Sequence, residues 1–136
     1  MNNFIRPIGN SLFGIRDNYG IKLLTKIRVE FSDLRDHRFN HKFNCVSPSC
    51  VCGLDDETTL HYFLCCPRYH AQRAILLSNI STIISSDVSI LPNEHLNHLI
   101  LYGSNVYNSM SNKLILEQSL LYIKKTSRFV RLEAFI

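Results

Sequence analysis

Charge is scarce in this chain of 136 residues: Asp, Glu, Lys and Arg make up 19% of it, below the roughly 25% of an ordinary soluble domain. With 46% apolar residues, that shortage points to apolar surface that something larger once covered, or to a somewhat apolar monomer. Long hydrophobic runs are missing too. None approaches the ~18 consecutive apolar residues of a membrane span. The opening Met1-Asn2-Asn3-Phe4-Ile5-Arg6-Pro7 has neither the apolar core nor the cleavage site of a secretory signal, so an intracellular chain, in nucleus or cytoplasm, is expected. No stretch sustains the alternation of a half-buried strand, and no internal repeat or low-complexity tract appears. These absences exclude sheet-based and repeat architectures and leave an all-α domain.

The length allows one core with, at most, a small metal-held annex. A formal charge of +4 and a pI near 8.9 are mildly basic, so nucleic-acid contact has to be argued from where the cations lie. Residues 1–19, with Pro7, Gly9 and Gly14, read as an irregular N-terminal arm, and 20–136 as the helical domain. Ile21, Leu24, Ile27, Phe31 and Leu34 recur at helical spacing, and Ser32-Asp33 suggests a bend that divides 21–43 into two helices. Further helices are expected from Pro67 to about Ser85, with Leu76, Ile80, Ile83 and Ile84 inward, and from Asn93, as N-cap, to a stop at Gly103. The last begins near Ser111, with Leu116, Leu120, Ile123 and Val130 on one face.

Segment 45–67 carries the chemistry. Cys50 and Cys52 precede Gly53, then seven residues lead to His61, with Cys65 and Cys66 before Pro67. Five cysteines in a chain expected in a reducing compartment are better metal ligands than disulfides. Cys50, Cys52, His61 and one late cysteine make a Cys₃His set, a zinc-knuckle-like loop that zinc closes with no position left for substrate. Buried free thiols are the competing reading, and a nucleophilic Cys–His pair a remoter one, since no third group is evident to orient His61. On an unbroken helix beginning at Thr58 or Thr59, His61 and Cys65 share a face, while Cys66 lies about 140° away. Pro67 offers a way to unwind that turn and let Cys66 in.

Cations are the remaining feature. If residues 28–42 stay helical, Arg28, Arg35, Arg38 and Lys42 form one stripe suited to a phosphate backbone; a bend at Ser32 displaces Arg28 and keeps the other three together. Lys124, Lys125, Arg128 and Arg131 form a second group. Both have the alternative of simple solvated faces. Tyr62 and Tyr69 offer rings for base stacking beside the loop, or partial core. His95 and His98 are expected on the polar side of a short helix, without a metal.

Several stretches together resemble a known family: 20–29 (Gly-Ile-Lys-Leu-Leu-Thr-Lys-Ile-Arg-Val), 31–39 (Phe-Ser-Asp-Leu-Arg-Asp-His-Arg-Phe), Cys50-x-Cys52-Gly53-Leu54 and His61-Tyr62-Phe63-Leu64-x-Cys66-Pro67. The chain is similar to the region downstream of the polymerase core in jockey-like non-LTR retrotransposon reverse transcriptases, over nearly its whole length. The resemblance implies the ligand set Cys50, Cys52, His61 and Cys66, with Cys45 and Cys65 as additions. It also implies a zinc-containing tail that holds template RNA or target DNA beside an upstream reverse transcriptase domain. Neither a Tyr-x-Asp-Asp polymerase motif nor an endonuclease carboxylate cluster occurs, so no enzymatic activity is expected of this chain alone. A protein-interaction module docking on a polymerase domain and a degenerate retroelement fragment are the alternatives.

Overall fold

The structure, a computed structural model, describes Ile15, residues 17–45 and residues 47–129. Among the described residues five α-helices make the frame: α1 Asn18–Arg28, α2 Arg35–Asn40, α3 His70–Ile84, α4 Asn93–Tyr102 and α5 Ser109–Thr126. Among the described residues there is no strand, only an isolated antiparallel bridge between Ser49 and Asp56. The all-α fold expected from the sequence is the one observed. Most of the N-terminal arm, and Val130 and Arg131, lie outside the described residues.

Helix starts follow side-chain acceptors. Asp17 Oδ1 accepts from Gly20 N at 2.9 Å, so α1 begins two residues before Gly20. Asn108 Oδ1 accepts from Ser111 N at 2.8 Å, starting α5 at Ser109 rather than Ser111. Pro92, not Asn93, occupies the N-cap of α4. The helical stripe of 21–34 holds for Leu24 and Ile27, but α1 stops at Arg28 and leaves Phe31 47% exposed. The expected division into two helices is present. Ser32 is no N-cap; its Oγ accepts from Leu34 N at 3.1 Å and steadies the turn into α2.

The long helices α3 and α5 pack together, with α4 and α1 laid against α5. Leu76, Ile80, Leu96, Ile100, Ile115, Leu116 and Leu120 fill the space between them, as their inward spacing requires. Gly103 ends α4 at φ +71, where a Cβ would sit 2.5 Å from Asn112 Oδ1. That close approach is used: buried Asn112 accepts from Ser104 N and donates to the Ser104 and Tyr107 carbonyls, fixing the α4–α5 turn.

An aromatic knot joins this pack to the cysteine segment. Tyr62 is fully buried and meets Phe63, Tyr69, Tyr122 and Phe129 edge to face at 4.8–5.5 Å. Its hydroxyl lies 2.6 Å from Thr126 Oγ1, and Tyr122 donates to the Tyr62 carbonyl at 2.6 Å. Tyr62 and Tyr69 are therefore anchors. Of the two roles open to them, core and base stacking beside the loop, the structure shows core, where both rings pack edge to face on Tyr122.

Candidate metal centre

Local backbone chemistry brings the ligands together. Gly53, at φ +82, turns the chain after Cys52, and Gly53 N donates to the Cys50 carbonyl at 3.0 Å. Cys50 N donates to the Asp55 carbonyl at 2.8 Å, closing a short loop. Thr58 Oγ1 accepts from His61 N at 3.1 Å and caps the helical turn that follows. That turn, His61–Cys65, is π-helical, with Cys66 N donating to the His61 carbonyl at 2.7 Å.

The widened turn decides between the late cysteines. A bond spanning five residues rather than four moves Cys66 round to the side of His61. Cys66 then takes φ −65 and ψ 123, the extended conformation that a following proline favours. Cys65 is left exposed, and the helical-wheel preference for it is overturned by this insertion. Cys45 stands apart, its thiol donating to the Ser47 carbonyl at 3.0 Å.

The donor atoms of Cys50, Cys52, His61 and Cys66 all lie within 4.8 Å of one another. Cys50 Sγ and Cys66 Sγ are 3.8 Å apart, and Cys52 Sγ is 3.3 Å from His61 Nε2. At 3.8 Å the two sulfurs are far beyond disulfide bonding. Cys50, His61 and Cys66 are buried and Cys52 is half-buried. Burial pushes the Cys50 thiol up to about 11 and pulls His61 below its ordinary value, favouring neutral imidazole. Cys52 is lowered, chiefly by a hydrogen bond from the Leu54 backbone. His61 Nδ1 is buried without a hydrogen-bond partner among the described residues, so Nε2 is the nitrogen aimed at the thiols. The group could hold a metal ion. Among the described residues no other His, Cys, Asp and Glu group could do so, His95 and His98 included.

Two residues that spacing did not single out complete the centre. Arg68 donates from Nε to Cys66 Sγ at 3.3 Å and from Nη2 to Cys50 Sγ at 3.2 Å. Its Nη2 also reaches Glu57 Oε2 at 3.1 Å. Glu57 is 1% exposed and accepts both nitrogens of Arg128, at 2.7 and 2.6 Å, and Arg35 N at 2.8 Å. Burial opposes its charge, but the Arg128 bonds and charge outweigh burial and hold the carboxyl below its ordinary value. The Cys50 and Cys66 sulfurs are thus joined through Arg68, Glu57 and Arg128 to the end of α5. In the sequence Glu57 is one of three consecutive acids, and no spacing separates it from Asp55 and Asp56.

Of the basic stripe, Arg28 is displaced, as a bend at Ser32 implies. The chain leaves the helix between residues 29 and 34, so Arg28 is separated from the other three. Arg28 Nε donates to the Leu101 carbonyl at 2.7 Å, its guanidinium lies 5.0 Å from the Tyr102 ring centre, and burial lowers it to about 10. Arg35 Nε donates to the Ser49 carbonyl at 2.7 Å, and Arg38 Nε to the Phe43 carbonyl at 3.1 Å. Lys42 remains exposed, at φ +60. In the second group Lys124 and Lys125 are exposed, while Arg128 turns inward to Glu57 past the left-handed Ser127. No family model, no curated protein and no solved structure matches this chain.

Proposed function

We propose that the four-ligand centre binds zinc and that the chain serves as a non-catalytic nucleic-acid-binding tail of a non-LTR retrotransposon reverse transcriptase, helping to hold template RNA or target DNA. The observation that carries the zinc assignment is metric. Zn–S bonds of about 2.3 Å in a tetrahedron place sulfurs about 3.8 Å apart, and a sulfur and a ring nitrogen about 3.6 Å apart. Cys50 and Cys66 are 3.8 Å apart, and Cys52 and His61 3.3 Å. Three thiolates and an imidazole are the soft donors that select this ion. When bound, zinc supplies a closed four-coordinate staple and no open site for chemistry. The Arg68 guanidinium offsets the negative charge that three thiolates leave on such a centre.

The retroelement reading is supported by the convergence of Cys50, Cys52, His61 and Cys66, the set that its Cys-x-Cys, His, Cys-Pro pattern picks out. Elemental analysis should return one zinc per chain, and filter binding to RNA and DNA should fall linearly on a log–log plot against salt. Absence of bound metal in well-folded protein would refute the zinc centre; a slope near zero would refute the nucleic-acid role.

A second reading has its own observation. Ile75 (58% exposed), Leu114 (39%) and Leu121 (39%) leave apolar surface on α3 and α5. Such a surface suits docking on an upstream polymerase domain, with no direct nucleic-acid contact. Zinc binding together with salt-independent filter binding would favour it. Among the described residues no helix is long and apolar enough to cross a membrane.

A further inference from the structure

Around the junction between α1 and α2, three rings stand together at the surface. Phe31 and Phe43 are 47% and 50% exposed. His41 meets Phe31 edge to face at 4.6 Å and stacks with Phe43 at 6.0 Å, while the two phenylalanines meet edge to face at 5.4 Å. The cluster is built from two separate loops. His41 Nε2 lies 3.1 Å from the Glu30 carbonyl, joining the loop after α1 to the loop after α2. Arg38 donates to the Phe43 and Asn44 carbonyls and fixes the second loop from below.

Phenylalanines held at the surface carry a cost, since water contact forfeits their burial energy. These are also held by costly backbone: Glu30 and Lys42 have positive φ, at 58 and 60, a region that such residues rarely adopt. A groove beside the rings is made up of two adjoining hollows that share Lys26 and Phe31, with Arg38 and Phe43 lining one hollow and Tyr19 and Lys22 the other. Asp33 is the one acidic side chain among the described residues lining it, although Glu30 stands nearby, and Arg128 in the groove wall is engaged by Glu57. Lys22 and Lys26 lie one helical turn apart on α1, both exposed.

We infer that this groove binds single-stranded nucleic acid, with unpaired bases stacking on Phe31 and Phe43 and the backbone phosphates following Lys22 and Lys26. The inference rests on the nucleic-acid reading above and names its surface and the form of the ligand. A ring face is available to a base only when that base is not already enclosed in a duplex, whereas cations serve both forms. Rings already held in place by His41 and Arg38 need little ordering on binding. An apolar protein segment would use the same rings but would have no use for the lysines.

The test is fluorescence anisotropy of a labelled mixed-sequence strand of about 12 nucleotides, as RNA and as DNA, against blunt duplexes of equal length, with zinc-loaded full-length protein. Single strands should bind more tightly than duplexes, and comparing the two chemistries shows which source is preferred. Phe31→Ala and Phe43→Ala should each weaken single-strand binding by about tenfold while leaving duplex binding near its wild-type level. Phe31→Trp should restore it. Lys22→Gln with Lys26→Gln should lower the log–log salt slope by about 1.4. Circular dichroism and zinc content serve as folding controls for each variant. Single-strand binding that survives both phenylalanine replacements overturns this inference and leaves the nucleic-acid role standing. Absence of binding to every nucleic acid overturns both.

Discussion

Between Cys50 and His61 the chain holds its shape with thiols, an imidazole and paired charges; between His70 and Thr126 it does so chiefly with leucine and isoleucine. The contrast begins in composition. The loop from Val51 to Asp56 has exposed Val51 and Leu54 and nothing apolar to fold upon, so hydrogen bonds and ligands must specify it. In α3, α4 and α5 the most deeply buried aliphatic residues are Leu76, Ile80, Ile100, Ile115 and Leu116, at 2% exposure or less. Burial is non-directional and tolerates small errors. A four-ligand centre does not, because every donor must be at bonding distance simultaneously. The two regions should therefore fail differently, and each failure can be provoked separately.

The sharpest break is at the ligands. Cys66→Ser, or a chelator, should cost a large part of the ~10–16 kcal/mol that zinc contributes to small zinc-dependent folds. Zinc content should fall below one equivalent, and amide exchange across residues 48–66 should accelerate, while α3 and α5 remain protected. Cys65→Ser, at an exposed thiol, should leave both readouts unchanged. Equal metal loss in the two variants would show that the π-helical turn does not exclude Cys65.

A smaller effect is expected at the junction between the regions. Glu57→Ala would leave Arg128 and Arg68 without the buried carboxylate they share. Removing one partner of such a buried pair typically costs about 3–5 kcal/mol. Chemical denaturation should show that loss together with weaker zinc retention, since Arg68 also donates to Cys50 and Cys66. Full stability with intact zinc affinity would sever the proposed coupling. Leu116→Ala, in the helical pack, should cost about 2–5 kcal/mol and leave the zinc stoichiometry at one.

The same contrast governs what could be read from the sequence. Helical periodicity identified the inward faces of α3, α4 and α5 because apolar residues repeating at that spacing line up on one side of a helix and nowhere else. Spacing brought together Cys50, Cys52 and His61, and the resemblance, against the helical wheel, chose Cys66 over Cys65. What remained hidden were groups acting through tertiary contact: Glu57 among three consecutive acids, Arg68 after Pro67, and Arg128, which the pattern placed among the solvated cations of α5. For Tyr62 and Tyr69 both base stacking and partial core stood open, because one-dimensional spacing cannot reveal the pocket formed by Tyr122 and Phe129. The bend at 29–34 displaced Arg28 from the basic stripe, as a break at Ser32 implied, but spacing could not show that Arg35 and Arg38 would turn to backbone carbonyls.

The mildest probe lies at the seam between the loop and α2, where buried His37 bridges both. Its Nδ1 accepts from Ser32 N at 3.2 Å and lies 2.8 Å from Ser32 Oγ, and its Nε2 is 3.2 Å from Thr59 Oγ1. The backbone N–H can only donate, so Nδ1 is the unprotonated nitrogen and Nε2 carries the hydrogen. Burial lowers the His37 pKa, outweighing the nearby acids. A folded-state pKa below the unfolded value of about 6.5 means that the unfolded chain takes up the proton first. Stability should be unaffected by this group above that pH, and should fall as pH drops below it towards the folded value. His37→Gln abolishes the titration, so its melting temperature, though lower at neutral pH, should decline less than wild type between pH 7 and pH 5 in excess zinc. His61 titrates in both proteins and cancels from the difference. Parallel profiles would mean that His37 protonates as readily in the fold as outside it, and that the seam contributes packing but no resistance to charge.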